Sequence, residues 1–164
     1  MEAGRVLLVA AVGALLSGQA TPSAYELAGL FERSVPNGDT SGARFRTVDR
    51  VMIVAADRRN AYVSMDLSFF NGHQCSIDGM ARMESSRLVL NSSEAQGFDG
   101  TPCRLEIWRD GQRLRWHDGN DTCRSNCGAR GGFGDGEMRW SVRRAIRRAE
   151  QSRLLAEARR PRAP

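Results

Sequence analysis

The sequence of 164 residues contains no lysine, and all 24 of its basic residues are arginine. This excludes a P-loop in the glycine-rich segment 128–136, because that motif needs a lysine followed by serine or threonine. Histidine is scarce as well: the chain has only His73 and His117, each beside a turn signal. Since no Gly-x-Ser-x-Gly motif accompanies them, the sequence favours a protein that is not an enzyme.

Long apolar runs are also lacking. The longest is Val6–Leu16, eleven residues that are apolar or glycine, whereas a helix that crosses a bilayer needs about 20. A short charged start precedes this run, and the small residues Ser17-Gly18-Gln19-Ala20 follow it. That pattern is typical of a secretory signal peptide. We therefore expect residues 1–20 to be a signal peptide and the remaining chain to have no membrane span.

The four cysteines are Cys75, Cys103, Cys123 and Cys127. In an exported chain of this size they predict two disulfides, and spacing does not choose among the three pairings. A metal site would need a second ligand pair at defined spacing, and a thioredoxin-like site would need Cys-x-x-Cys at the start of a helix. We therefore expect structural disulfides, with no metal and no cofactor.

The absence of lysine, with abundant alanine and glycine, indicates a GC-rich bacterial genome. Disulfides persist in oxidising compartments, so we expect the protein to be periplasmic or secreted. Its net charge of +5 comes from the C-terminal segment, because residues 141–164 hold eight arginines and two glutamates, whereas residues 21–140 are nearly neutral. Overall basicity therefore does not indicate a nucleic-acid partner. The basic segment itself fits an anionic envelope surface.

The hydrophobic pattern divides the chain into four parts. After the signal, residues 21–47 predict a helix of two or three turns, beginning with a capping-box pattern at Ser23, followed by a linker. Residues 48–140 show the alternation and turn signals of short strands, with Val63, Met65 and Leu67 on one face. Residues 141–164 predict an Arg-rich helical tail. The fold class is therefore mainly β, with six or seven antiparallel strands in a small barrel or a two-layer sandwich.

Two features within the β domain bear on function. The first is a hairpin at Asp110-Gly111, whose inward side chains are predicted to be Leu105, Ile107, Leu114 and Trp116. The second is the glycine-rich loop that follows it, which contains Cys123 and Cys127 and runs to Gly136. We interpret this loop either as a disulfide-tied structural turn with glycines at positive φ or as a recognition element in which Arg130 and Phe133 protrude from a rigid base. Its candidate binding residues are Arg130, Phe133, Gly128 and Gly131. The acids Asp66, Asp78, Glu106 and Asp118 have the spacing of solvent-facing strand positions, and no pair of them stands out for catalysis.

Cys75, the strand that begins with Cys103, and the segment Cys123-Arg-Ser-Asn-Cys127-Gly-Ala-Arg-Gly resemble a group of secreted proteobacterial β-rich proteins. The resemblance covers residues 51–140, and some members of the group are similar to lysozyme inhibitors. It implies a non-catalytic periplasmic binding module that inhibits a cell-wall hydrolase of the lysozyme type. The alternative is a structural or accessory envelope protein that docks through its Arg-rich C-terminal helix.

Overall fold

The computed structural model describes residues 22–97 and 99–160, the side chains of 93–95 excepted. The predicted signal peptide lies outside the described residues. Nine antiparallel strands form a single sheet in the order β8-β7-β6-β5-β4-β3-β2-β1-β9. The strands are β1 (Gly29–Gly38), β2 (Arg44–Ala55), β3 (Asn60–Ser68), β4 (Gln74–Glu84), β5 (Arg87–Gln96), β6 (Pro102–Asp110), β7 (Arg113–Asp118), β8 (Asp135–Arg139) and β9 (Arg143–Arg144). Two helices, α1 (Ala24–Leu27) and α2 (Arg148–Ala158), accompany them.

Alternation along the strands places one row of side chains in the core. The predicted inward residues of β3, Val63, Met65 and Leu67, are all buried. The hairpin signal at Asp110-Gly111 is also confirmed, because β6 pairs with β7 across a turn in which Gly111 has a φ of 55°. Its four predicted inward side chains are buried as well: Leu105, Ile107, Leu114 and Trp116.

The sheet curls into a nearly closed barrel. β9 pairs with β1 at Leu30 and Phe31, and it is joined to β8 by the short turn 140–142. Beyond Phe31, a side chain bridges the seam, since Arg33 donates from Nη1 to the Glu137 carbonyl oxygen at 2.8 Å. Of the two architectures that the sequence allows, the barrel is therefore the correct one, with β9 covering the edge of β1 at Leu30 and Phe31.

The prediction of six or seven strands is wrong, because the described residues alone form nine. β1 occupies residues that the sequence assigned to a helix and linker, and the expected helix is a single turn, Ala24–Leu27. The capping-box contact does form, with Ser23 Oγ donating to Glu26 Oε1 at 3.2 Å. Strand pairing overrides the local helical pattern from Gly29 onward. Pro36 is tolerated there because this part of β1 pairs only with β2 among the described residues.

The predicted tail helix is shorter than expected. Residues 140–142 form a 3₁₀ turn, β9 follows, and α2 begins only at Arg148. Ile146 is buried where the chain turns back along the outside of the barrel. One face of α2 is half-buried there, namely Gln151, Leu154, Leu155 and Ala158. The helix is therefore docked on the barrel rather than free.

Because neighbouring strands alternate in direction, their connections fall into two groups at opposite ends of the barrel. We define the loop end by the connections 39–43, 69–73, 97–101 and 119–134, which follow β1, β3, β5 and β7. We define the tail end by α1 and the segments 56–59, 85–86, 111–112 and 140–147. The glycine-rich loop belongs to the loop end, whereas the start of the basic tail belongs to the tail end.

Candidate functional site

The loop between β7 and β8 is tied to the barrel by both disulfides. Cys75 of β4 bonds to Cys127, and Cys103 of β6 bonds to Cys123, so the structure confirms two disulfides and selects one of the three pairings. Backbone contacts reinforce the first bond, since the Gly128 amide donates to the Gln74 carbonyl oxygen at 2.7 Å. The loop is therefore fixed at two points four residues apart.

A buried carboxylate positions the start of the loop. Asp118 is 4% exposed, and its Oδ1 accepts hydrogen bonds from Thr122 Oγ1 at 2.8 Å and from the Cys123 amide at 3.1 Å. Burial raises the pKa of this carboxyl above its usual value, and the two hydrogen bonds oppose that shift. The prediction that Asp118 faces solvent is wrong, because it continues the inward row of Leu114 and Trp116 at the end of β7.

The prediction that Phe133 protrudes is also wrong. Its side chain is 3% exposed and belongs to the hydrophobic core, and its carbonyl oxygen accepts a hydrogen bond from Trp116 Nε1 at 3.1 Å. The loop turns inward over the barrel mouth, so burying the ring removes apolar area from water there. Phe133 therefore holds the loop on the barrel and is not available to a partner.

Gly128 and Gly131 are placed where a side chain would not fit. A Cβ on Gly131 would lie 2.8 Å from Cys75 Sγ and 3.1 Å from the Phe69 ring, and a Cβ on Gly128 would lie 2.9 Å from His73 Nδ1. Both glycines allow the loop backbone to approach the β3–β4 connection closely. They hold the loop against the barrel, and the two residues between them, Ala129 and Arg130, therefore stand on a fixed backbone.

Arg130 is the predicted binding residue that the structure leaves exposed. Across the part of the chain that the structure describes, no hydrogen bond or salt bridge to its guanidinium group is found. The backbone beside it is held, because Arg124 donates from Nη2 to the Ala129 carbonyl oxygen at 2.5 Å. Many barrel arginines differ in this respect: Arg33, Arg50, Arg87 and Arg113, for example, each pair with a carboxylate.

Two exposed aromatic side chains lie at the same end of the barrel, and sequence reasoning missed both. Phe70 is 49% exposed and Phe45 is 40% exposed. Asn37, the partner of Phe45 in the β1–β2 ladder, donates from Nδ2 to the Phe69 carbonyl oxygen at 3.0 Å. We call Arg130, Phe70 and Phe45 the recognition rim. Their adjacency to turn residues was the available signal, but it did not distinguish them from core aromatics.

A shallow groove of about 510 Å³ lies beside Phe70, the rim residue that lines it, and is otherwise lined by Ser68 and residues of the β1–β2 hairpin. Its charged lining residues are Asp39 and Arg44. The carboxylate of Asp39 is already engaged by Ser41 Oγ at 2.5 Å, and this hydrogen bond lowers the pKa of Asp39. The arrangement therefore offers a cationic and aromatic surface beside an open groove, which is suited to binding.

The two histidines lie apart. His117 contacts the Asp135 carboxylate, and His73 packs against Gly128. Within residues 22–97 and 99–160, no cluster of three or more histidine, cysteine, aspartate or glutamate side chains is arranged to hold a metal ion. In the same part of the chain, neither helix is long and apolar enough to cross a membrane.

The chain was compared with protein-family models, with curated proteins and with solved structures, and none of them matches it.

Proposed function

We propose that this chain is a non-catalytic binding module of the bacterial cell envelope that engages a protein partner through the recognition rim. The observation that carries the proposal is Arg130: an exposed arginine without a described acidic partner, on a loop fixed by two disulfides. The disulfides also fit an oxidising, periplasmic or extracellular location. No cofactor is needed for this role.

Physical chemistry supports such a surface as a binding site. A guanidinium group matches a carboxylate through two parallel hydrogen bonds, and arginine and aromatic residues anchor many protein interfaces. The fixed backbone on both sides of Arg130 lowers the entropy lost on binding. The partner would therefore present a carboxylate, in a cleft or on a convex edge, with apolar surface beside it for Phe70.

The resemblance of the cysteine-rich segment to lysozyme-inhibitor-like proteins makes a cell-wall hydrolase of the lysozyme type the first partner to test. Such enzymes cleave glycosidic bonds with paired carboxyl groups, which Arg130 could approach. Because lysozyme is itself a basic protein, Arg130 would be attracted only by the catalytic carboxyl groups in its cleft and not by the enzyme's net charge.

The test is an inhibition and binding assay with a C-type lysozyme and with periplasmic extract. We expect the purified protein to slow the muramidase at micromolar excess and Arg130→Ala to weaken binding by about tenfold or more, as for an interface anchor worth about 1.4 kcal/mol. Arg58→Ala is the matched control, because Arg58 is an exposed arginine at the tail end. Unchanged muramidase rates, together with an Arg130→Ala variant that captures the same periplasmic proteins as wild type, would refute the proposal.

A second candidate role is that of an accessory envelope protein that docks through α2. The specific observation is that α2 contacts the barrel with one face and leaves Arg148, Arg153 and Arg159 exposed. Such a face can approach an anionic surface while the barrel acts as a spacer. Replacing Arg148 and Arg153 with glutamine preserves the docked leucines; loss of envelope association with retained partner binding would favour this role over the first.

A further inference from the structure

The three tryptophans of the barrel each have an arginine against the ring, but the charge around them differs. Arg87 lies 4.1 Å from the Trp108 ring centre and pairs with Glu106, and Arg33 lies 5.9 Å from the Trp116 ring centre and pairs with Asp49. At Trp108 and Trp116 a carboxylate therefore neutralises the guanidinium group. Trp140, at the tail end, is the exception.

Two arginines flank Trp140. The guanidinium carbon of Arg109 lies 4.4 Å from the Trp140 ring centre, and that of Arg143 lies 5.0 Å from it. The two guanidinium groups are therefore separated by no more than the sum of these distances. Among the described residues, neither arginine forms a salt bridge. Two like charges repel each other, and Arg109 acts on Arg143 in this way, while the indole ring attracts both.

Both guanidinium groups are held in place by backbone carbonyl groups. Arg109 donates from Nε to the Gly111 carbonyl oxygen at 2.8 Å, and Arg143 donates from Nε to the Ala28 carbonyl oxygen at 2.7 Å and also contacts it through Nη2. These bonds leave both terminal nitrogens of Arg109 and one of Arg143 free to donate. Trp140 is itself fixed by its ring contact with Phe31 at 5.3 Å and by its amide bond to the Gln112 carbonyl oxygen at 2.8 Å.

We propose that Arg109, Trp140 and Arg143 form a binding site for a phosphate group at the tail end of the barrel. A phosphate dianion neutralises both charges, and its several oxygens can accept from two guanidinium groups at once. The site is separate from the recognition rim, which lies at the opposite end. Burial and the proximity of Arg109 both lower the pKa of Arg143, a strain that a bound anion relieves.

The experiment is a titration of the purified protein with inorganic phosphate, followed by the NMR signal of the Trp140 indole N–H and matched with sodium chloride at equal ionic strength. Loss of that signal in Trp140→Phe assigns it. We expect a saturable shift with phosphate, and binding at least about tenfold weaker in Arg109→Gln and in Arg143→Gln. Arg82→Gln, which removes an exposed arginine of β4 from another face, should bind as wild type does.

A second arm separates the two sources of phosphate. Vesicles of phosphatidylglycerol carry phosphate as an anionic diester in the lipid headgroup, and vesicles of phosphatidylcholine, whose phosphate is balanced by the choline cation, serve as the net-neutral comparison. Co-sedimentation with phosphatidylglycerol that Arg109→Gln abolishes assigns the site to a lipid, whereas a response to free phosphate alone assigns it to a soluble ligand. The proposal is overturned if phosphate shifts the Trp140 signal no more than chloride does, or if Arg109→Gln responds to phosphate as wild type does.

Discussion

The two ends of the barrel are built differently. The loop-end connections carry three aspartates and two arginines, whereas the tail-end segments carry five arginines, one aspartate and one glutamate. The loop end is held by two disulfides and a buried aspartate. The tail end is held by two-residue strand pairing, ring contacts and arginine bonds to carbonyl groups. The backbone of the loop end is therefore fixed by covalent bonds, whereas that of the tail end is fixed by packing around Trp140.

This difference separates two kinds of surface. At the loop end, the exposed Arg130 stands on a rigid base, which favours recognition of one geometry. At the tail end, Arg109 and Arg143, neither with a described acidic partner, lie against the same tryptophan ring, which favours attraction of an anion by charge. The two proposed sites lie at opposite ends of the barrel, so each can be weakened separately.

Of the changes considered, removal of the Cys75–Cys127 bond should lower the free energy of unfolding most, and it acts at the loop end. The bond closes a loop of 52 residues, so the chain-entropy model gives a loss of about 4 kcal/mol in the free energy of unfolding for Cys75→Ala/Cys127→Ala. The 20-residue closure by Cys103 and Cys123 should be worth about 3 kcal/mol. Urea unfolding of both double variants measures this, and equal, sub-kilocalorie losses would contradict covalent control of the loop end.

Phe133→Ala should cost about 3 kcal/mol of unfolding free energy, because it leaves a cavity at the barrel mouth. Phe70→Ala is the matched control, since its ring is 49% exposed and its loss should cost less than about 1 kcal/mol. Partner binding should show the reverse order once stability is corrected for. Thermal and urea unfolding of the two variants would disprove the assignment if Phe70→Ala were the more destabilised.

Gly131→Ala should destabilise the loop end by about 2 kcal/mol, because its Cβ would crowd a disulfide sulfur and the Phe69 ring. Gly132→Ala, one residue away, places its Cβ no closer than 3.4 Å to any neighbour and should change stability by less than about 0.5 kcal/mol. Urea unfolding compares them. A tolerated Gly131→Ala would mean that the loop can lift from the β3–β4 connection.

The parts of the fold that depend on residues close together in sequence were predictable. Alternation marked Val63, Met65 and Leu67 as buried, and Asp110-Gly111 marked a turn. β1 was not predictable in this way, because the capping pattern at Ser23 favours a helix and only pairing with β2 makes residues 29–38 extended. Disulfide pairing likewise depends on which strand ends meet at the loop end.

The candidate site was predicted only in part, because some of its features depend on local sequence and others on long-range folding. Arg130 is exposed, as expected of a charged residue between glycines. Phe133 and Asp118 are buried because the loop folds back over the barrel, a long-range event that leaves no periodic signal in so irregular a segment. The cluster around Trp140 joins residues from β6, the turn 140–142 and β9, so no local pattern could have revealed it.

The smallest predicted effect concerns pH and acts at the loop end alone. Burial raises the pKa of Asp118 in the folded protein, so the folded state binds this proton more tightly than the unfolded state. Its contribution to stability is therefore fully present below the unfolded pKa, near 3.8, and is lost as pH rises through the higher folded value.

Asp118→Asn cannot titrate, so the stability of wild type relative to this variant should fall as pH rises across that window. Urea unfolding of both proteins at a series of pH values measures the slope. Arg109→Gln leaves Asp118 and the loop end unchanged, so its stability should run parallel to that of wild type; a relative stability for Asp118→Asn that does not change with pH would show that this carboxyl is not buried in the folded protein.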